Sequence, residues 1–126
     1  MLHPDWETGL LVDEQKEATG IREEIRKHTL FILGVRVDNL DLATALEGVQ
    51  AFLSEKGVHP PSRVFFTNVH TIHLARSFPE FQECVNSAEM VLADGSGVRF
   101  AGRVLGVPIR ENLNGTDLAP RLFRLA

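Results

Sequence analysis

Met90-Val91-Leu92-Ala93-Asp94-Gly95-Ser96-Gly97 decides the fold class: an apolar run of strand length stops at an Asp-Gly turn and gives way to helical spacing. Val98, Ala101, Val104 and Leu105 fall at that spacing, so a helix is expected directly after the glycines. A carboxylate then stands at the carboxyl end of a strand, beside a helix N-terminus. In open α/β sheets, ligands bind at that edge. The N–H groups and dipole of a helix start can hold phosphate, and a carboxylate can take a proton from a hydroxyl. The pair suggests chemistry on a phosphorylated or nucleotide-linked substrate.

Upstream, Thr29-Leu30-Phe31-Ile32-Leu33 is an apolar run of strand length ending at Gly34. Val35-Arg36-Val37 continues it with alternation, and Asp38-Asn39 marks a turn. Asp41 can cap a helix whose stripe is Leu42, Ala45, Leu46, Val49, Phe52 and Leu53. Gly57 stops it, and Pro60-Pro61 forces an extended connection. Val64-Phe65-Phe66-Thr67 reads as a second strand, followed by a short helix. Ser77-Phe78-Pro79-Glu80 has the spacing of a capping box, with Phe78, Phe81 and Val85 expected on the buried face. Thr116-Asp117 opens a last helix. Strand, helix, strand, helices, strand, helix predicts a parallel sheet with right-handed crossovers and flanking helices, a Rossmann-like α/β fold.

With 126 residues the chain suffices for one modest core. Its net charge of −4 offers no basic surface suited to nucleic acid. Residues 1–27 hold seven acids and four bases, and read equally as a charged tail or a helix. Residues 28–126 form the compact part. A lone cysteine, Cys84, permits no internal disulfide and fits a reducing, cytoplasmic setting. The first residues are too acidic for a signal peptide. No apolar stretch approaches the roughly 20 residues of a membrane span, which leaves peripheral membrane contact open.

Three segments could carry chemistry. Asp94 can act as a base, with Gly95 and Gly97 shaping the turn; an Asp-Gly turn or helix cap would read the same. Thr67, Asn68 and His70 end the strand before it, where Asn68 can offer a donor and an acceptor and His70 can carry a proton. A capped helix with a surface histidine accounts for them equally. Asn112, Gly115, Thr116 and Asp117 surround another helix start suited to hydroxyl and phosphate contacts, or form a plain loop and cap. His70 and His73 lack a third partner for zinc. Arg99 and Arg103 are expected to face solvent.

Taken in order, Leu33–Asn39, Asn68 to Ala75-Arg76, Ala88–Val98, and Leu105–Pro108 with Asn114–Leu118 resemble the WecG/TagA/CpsF glycosyltransferase family, from about residue 30 onward. The resemblance implies an inverting transfer of a sugar, N-acetylmannosamine-like or another hexose, from a UDP-sugar to a lipid-linked or saccharide acceptor in surface polysaccharide synthesis. It implies Asp94 as general base, Asn68 in the pocket, Gly95 and Gly97 near the diphosphate, and no metal cofactor. A cytoplasmic location, at the inner face of the membrane where the chain is membrane-associated, and homo-oligomerisation are compatible with it. Phe66 stands where the family threonine usually lies, and Asn112 where an arginine commonly follows the glutamate. Family members continue further, so the chain is expected to be the N-terminal portion of the catalytic domain, with little turnover alone. A non-catalytic nucleotide-binding module is the competing reading.

Overall fold

Leu33 and Gly34, at φ of 50° and 81°, reverse the chain between Thr29–Ile32 (β1) and Val35–Asp38 (β2). A two-residue loop with both residues at positive φ matches the twist of the strands it joins. The two segments therefore pair antiparallel, from Thr29 opposite Asp38 to Ile32 opposite Val35. That corrects the expectation of one extended run entering a wholly parallel sheet. Asp38, expected in a turn, is instead the last residue of β2.

The computed structural model describes residues 5–55, 57 and 59–125, with side chains from Lys16 onward. The first four residues of the expected tail lie outside them. Asp5–Lys27 forms α1, the helical form of the two N-terminal readings. The remaining elements are Leu42–Ser54 (α2), Val64–Thr67 (β3), Val69–Ser77 (α3), Pro79–Asn86 (α4), Met90–Ala93 (β4), Ser96–Val104 (α5) and Gly115–Leu125 (α6). The sheet order is β1-β2-β4-β3, and β4 runs parallel to both neighbours. Apart from its first strand this is the open, helix-flanked parallel sheet read from the sequence.

Alternation along the strands divides the core between two faces. Val35, Val37, Val91 and Ala93 pack with Ile72, Ala75, Val85 and Val98, beneath α3, α4 and α5. Met90 and Leu92 pack with Ile25, Ala45, Phe52 and Leu118, beneath α1, α2 and α6. All four residues of β4 are buried, as a strand covered on both faces requires. The Arg22 guanidinium of α1 pairs with Glu55 and lies 5.2 Å from the Phe52 ring centroid, which fastens α1 to α2.

Three local expectations fail. Leu53, expected on the α2 stripe, is 64% exposed, while Gly48 and Ala51 take buried positions beside Ala45 and Phe52. Ser77 does not open a capping box. It is the last residue of α3, and its hydroxyl donates to the His73 carbonyl at 3.2 Å. Pro79 starts α4 without a side-chain cap, and Phe78 stays 59% exposed rather than joining the core. In α5, Val98 and Gly102 take the buried positions while Val104 and Leu105 face outward.

Candidate functional site at the strand ends

β2, β4 and β3 run parallel, so their carboxyl ends share one rim, and each passes into a polar residue or turn there. Thr67 pairs with Ala93, which sets the next residues, Asn68 and Asp94, side by side. Phe66 and Leu92 both face the α2–α6 side. By the two-residue period of a strand, Asn68 and Asp94 leave the sheet toward that same side. Their turns are also tied through the backbone: the Asp94 N–H donates to the Thr67 carbonyl at 2.9 Å.

The asparagine is engaged and the aspartate is not. Asn68 is the N-cap of α3, its carboxamide oxygen accepting from the Thr71 N–H at 2.8 Å and hydroxyl at 3.0 Å. Asp94 does not cap α5; that position belongs to Gly95, at φ 98°. Among the described residues no group donates to the Asp94 carboxylate, which is partly exposed. Gly97, in the first turn of α5, lies where an added Cβ would collide with a methyl of Val69 on α3, so a larger residue there would have to displace that side chain. His70 is exposed on the first turn of α3. Thr67 is fully buried on the opposite, α3–α5 face, and its hydroxyl has no partner among the described residues.

A strap from Val107 to Asn114 returns across the rim. The Asn112 carboxamide oxygen accepts from the Gly95 N–H at 2.7 Å, and the Leu113 N–H donates to the Ala93 carbonyl at 2.8 Å. Beyond it, a groove of about 340 Å³ lies between the start of α2 and α6, lined by Leu42, Glu111, Asn112, Thr116, Asp117 and Arg121 among others. The candidate residues thus fall into two adjoining groups. Asn68, Asp94, Gly95 and Gly97 cluster at one pair of turns, while Thr116 and Asp117 line the groove. Asn112 joins the two, and Gly115 packs toward the Phe66 ring.

Helix ends at the rim differ in one useful respect. Asp41 caps α2 through the Thr44 N–H at 2.8 Å, and Glu111 accepts from the Leu42 N–H at 3.1 Å. That bond to the Thr44 amide holds the Asp41 carboxyl below its ordinary pKa. Asn114 caps α6 through the Asp117 N–H at 2.8 Å. α5 has no side-chain cap, so the amides of its first turn remain available to an anion.

Asn39 escaped the sequence reading, which placed it in a turn. Directly after β2, and 8% exposed, it donates to the Pro108 carbonyl at 3.0 Å and accepts from the Arg110 N–H at 2.8 Å. It anchors the strap. The available signal was positional, since Asn39, Asn68 and Asp94 each directly follow the last residue of a strand. Among the described residues no three His, Cys, Asp or Glu side chains converge as a metal-binding set. No described helix is long and apolar enough to cross a membrane.

The chain is an open α/β domain with an unengaged carboxylate and an uncapped helix start at its strand ends, the edge at which sheets of this class hold ligands. More particularly, the chain belongs to the Glycosyl transferase WecG/TagA/CpsF family, which it matches over residues 30–126. It is similar to the N-acetylglucosaminyldiphosphoundecaprenol N-acetyl-beta-D-mannosaminyltransferases of Staphylococcus aureus strains NCTC 8325 / PS 47 and COL. Each is 25% identical over 106 residues, covering 84% of this chain and 41% of the relative. The chain therefore spans about two-fifths of the length of these curated relatives.

Proposed function

We propose that the chain is the acceptor-activating part of a glycosyltransferase in surface polysaccharide synthesis. It would move an N-acetylmannosamine-like or other hexose from a UDP-sugar to a lipid-linked or saccharide acceptor. The observation that carries the reading is the parallel register of β3 and β4, which puts Asn68 and Asp94 on one rim and one face. In the proposed step the Asp94 carboxylate takes the proton of the acceptor hydroxyl, and the freed oxygen attacks the anomeric carbon. The bond from that carbon to the diphosphate breaks, UDP leaves with the electron pair, and the configuration inverts. The uncapped first turn of α5 supports placing the departing diphosphate there. Charge stabilisation by amide dipoles lets the reading dispense with a resident metal. Sugar transfer from UDP-N-acetylmannosamine to a prenyl-diphosphate-linked acceptor tests it: Asp94→Asn should remove transfer and retain UDP binding. Equal transfer by parent and variant would end the assignment.

A second reading has its own support. The Gly95 amide is already occupied by Asn112, which takes one donor away from a departing diphosphate. A nucleotide-binding module without turnover of its own would show UDP binding by calorimetry and no transfer in the same assay.

A further inference from the structure

Thr71 and Asn68 are joined twice at the start of α3. The Thr71 N–H and the Thr71 hydroxyl both donate to the Asn68 carboxamide oxygen, at 2.8 and 3.0 Å. The first bond caps the helix. A backbone N–H can only donate, so the atom it meets is the oxygen, and the orientation of the carboxamide is fixed. The second bond adds nothing to the cap; it fills the remaining lone pair of that oxygen. The hydroxyl has one proton, and its other acceptor, the Phe66 carbonyl, is more distant at 3.5 Å.

Asparagines used for structure in this fold bond through both ends of the side chain. Asn39 does so between Pro108 and Arg110, Asn86 between Gly34 and Arg36, and Asn114 with Asp117. Asn68 instead takes two bonds on its oxygen and has, among the described residues, no acceptor for its NH2 group. Beside it in the parallel register stands Asp94, whose carboxylate has no donor among the described residues. The rim thus sets a group that can only donate next to one that can only accept. Side chains leaving adjacent strands in register start about 4.8 Å apart. One hydroxyl oxygen bridges such a gap with two bonds of about 2.8 Å. It gives its proton to the carboxylate and a lone pair to the amide. A phosphate oxygen meets like charge at Asp94, and an ammonium has no lone pair for the Asn68 NH2 group.

We propose that Thr71 is a positioning residue that holds Asn68 with its NH2 group toward the rim, which makes the Asn68–Asp94 pair selective for a neutral saccharide hydroxyl. Without the Thr71 hydroxyl the cap bond remains, but the oxygen regains a free lone pair and the carboxamide can swing about it. The pair then loses its fixed donor. That the bridged hydroxyl is the one deprotonated in sugar transfer rests on the function proposed above; the selectivity of the pair does not.

Side-chain amide NMR of the isotope-labelled chain tests this, with N-acetylglucosamine and inorganic phosphate as probes. The Asn68 NH2 signals are assigned by their absence from Asn68→Asp protein. N-acetylglucosamine should shift them in the parent, and phosphate at the same concentration should not. Thr71→Val keeps the backbone cap and the branched shape, yet should weaken the affinity read from the sugar shift about three- to tenfold, the range for one hydrogen bond. Thr71→Ala, better suited to a helix, should show the same loss if the valine protein does not fold. Thr71→Ser restores the hydroxyl and should recover the response, which a residue needed only for packing would not do. Unchanged backbone amide signals from β3 and β4 separate lost positioning from lost fold. No sugar response in the parent overturns the proposal. So does an equal response by Thr71→Val or Thr71→Ala, or a phosphate response as large as the sugar's. Equal sugar transfer by parent and Asp94→Asn, with the Asn68 response to N-acetylglucosamine intact, would end the base assignment and keep this proposal, so the two failures are read separately.

Discussion

Asp38 and Asp94 follow the cores of neighbouring parallel strands, and they are used in opposite ways. Asp38 is fully buried and accepts four hydrogen bonds. These come from the Thr29 hydroxyl at 2.6 Å, Arg36 Nε at 3.0 Å, Arg36 Nη2 at 2.9 Å and the Val91 N–H at 2.8 Å. It joins β1, β2 and β4, and Arg36 extends the joint to the carbonyls of Asn86, Ala88 and Glu89. Asp94 lies one turn from the same core with its carboxylate unengaged. A carboxylate whose lone pairs are all satisfied inside the fold holds structure. One left open at a strand end can exchange a proton with a ligand.

The harshest way to break the comparison is to truncate the buried member. Asp38→Ala leaves Arg36 without its counter-charge and the Val91 N–H without an acceptor. Removing one partner of a buried pair costs about 3–5 kcal/mol, a large share of the stability of a domain this size. Urea denaturation should show loss of most of the cooperative transition. A change under about 1 kcal/mol would mean that the network is not what joins the strands.

Asp94→Asn should do the reverse. Its denaturation midpoint should match the parent within about 0.5 kcal/mol, as for substitutions away from packed features. The proposed sugar transfer should fall about 100-fold to 10,000-fold, the range for loss of a positioned base. A destabilised Asp94→Asn protein would place that carboxylate with Asp38 as a structural group.

Asn39 sharpens the contrast from a third strand end. Its carboxamide is buried and doubly bonded, yet what it holds is the strap that carries Asn112 to the Gly95 amide. Asn39→Ala should cost about 0.5–1.5 kcal/mol per hydrogen bond lost to the Pro108 carbonyl and Arg110 amide, both of which water can then reach. Amide exchange should quicken at Arg110, Leu113 and Gly95 before it does in β4. Loosening confined to Arg110 would show that the strap is held elsewhere.

Legibility in the sequence followed the range of the interaction. Val91 and Ala93, the α2 stripe and the Asp94-Gly95 break are local patterns, and they gave the strands, the helix and the strand-end carboxylate. What could not be read was decided by residues distant in sequence. Gly34 looked like the end of a strand because nothing local says that β1 folds back on β2. Asp38 looked like a turn aspartate because Val91, its partner, lies 53 positions away. Val104 and Leu105 matched helical spacing, but Gly102 took the inward position they were expected to share. In the candidate site, residue types were legible and their engagement was not. Asn68 spends its oxygen on Thr71, and the Asn112 contact to Gly95 crosses 17 positions.

The smallest expected effect concerns charges outside both strand ends. Glu55 is held below its ordinary pKa, chiefly by its hydrogen bond to Arg22. Its carboxylate is therefore favoured by folding. The stabilisation is full above the unfolded-chain value of roughly 4.3 and is lost as pH falls through the lower folded-state value. Arg22 is 34% exposed and Glu55 15%, so solvent screens the pair and its worth is at most about 1 kcal/mol. Asp41, through its bond to the Thr44 amide, and Glu24, through its bond to His28, shift in the same direction, so the parent alone cannot separate the three. Arg22→Gln can. Between neutral pH and pH ~3 its thermal midpoint should fall less than the parent's, because the variant has already lost the Glu55 contribution. Parallel pH profiles for the two proteins would show that α1 is fastened by Ile25 and Ala18 packing, and that a partly exposed ion pair adds nothing beside the buried one at Asp38.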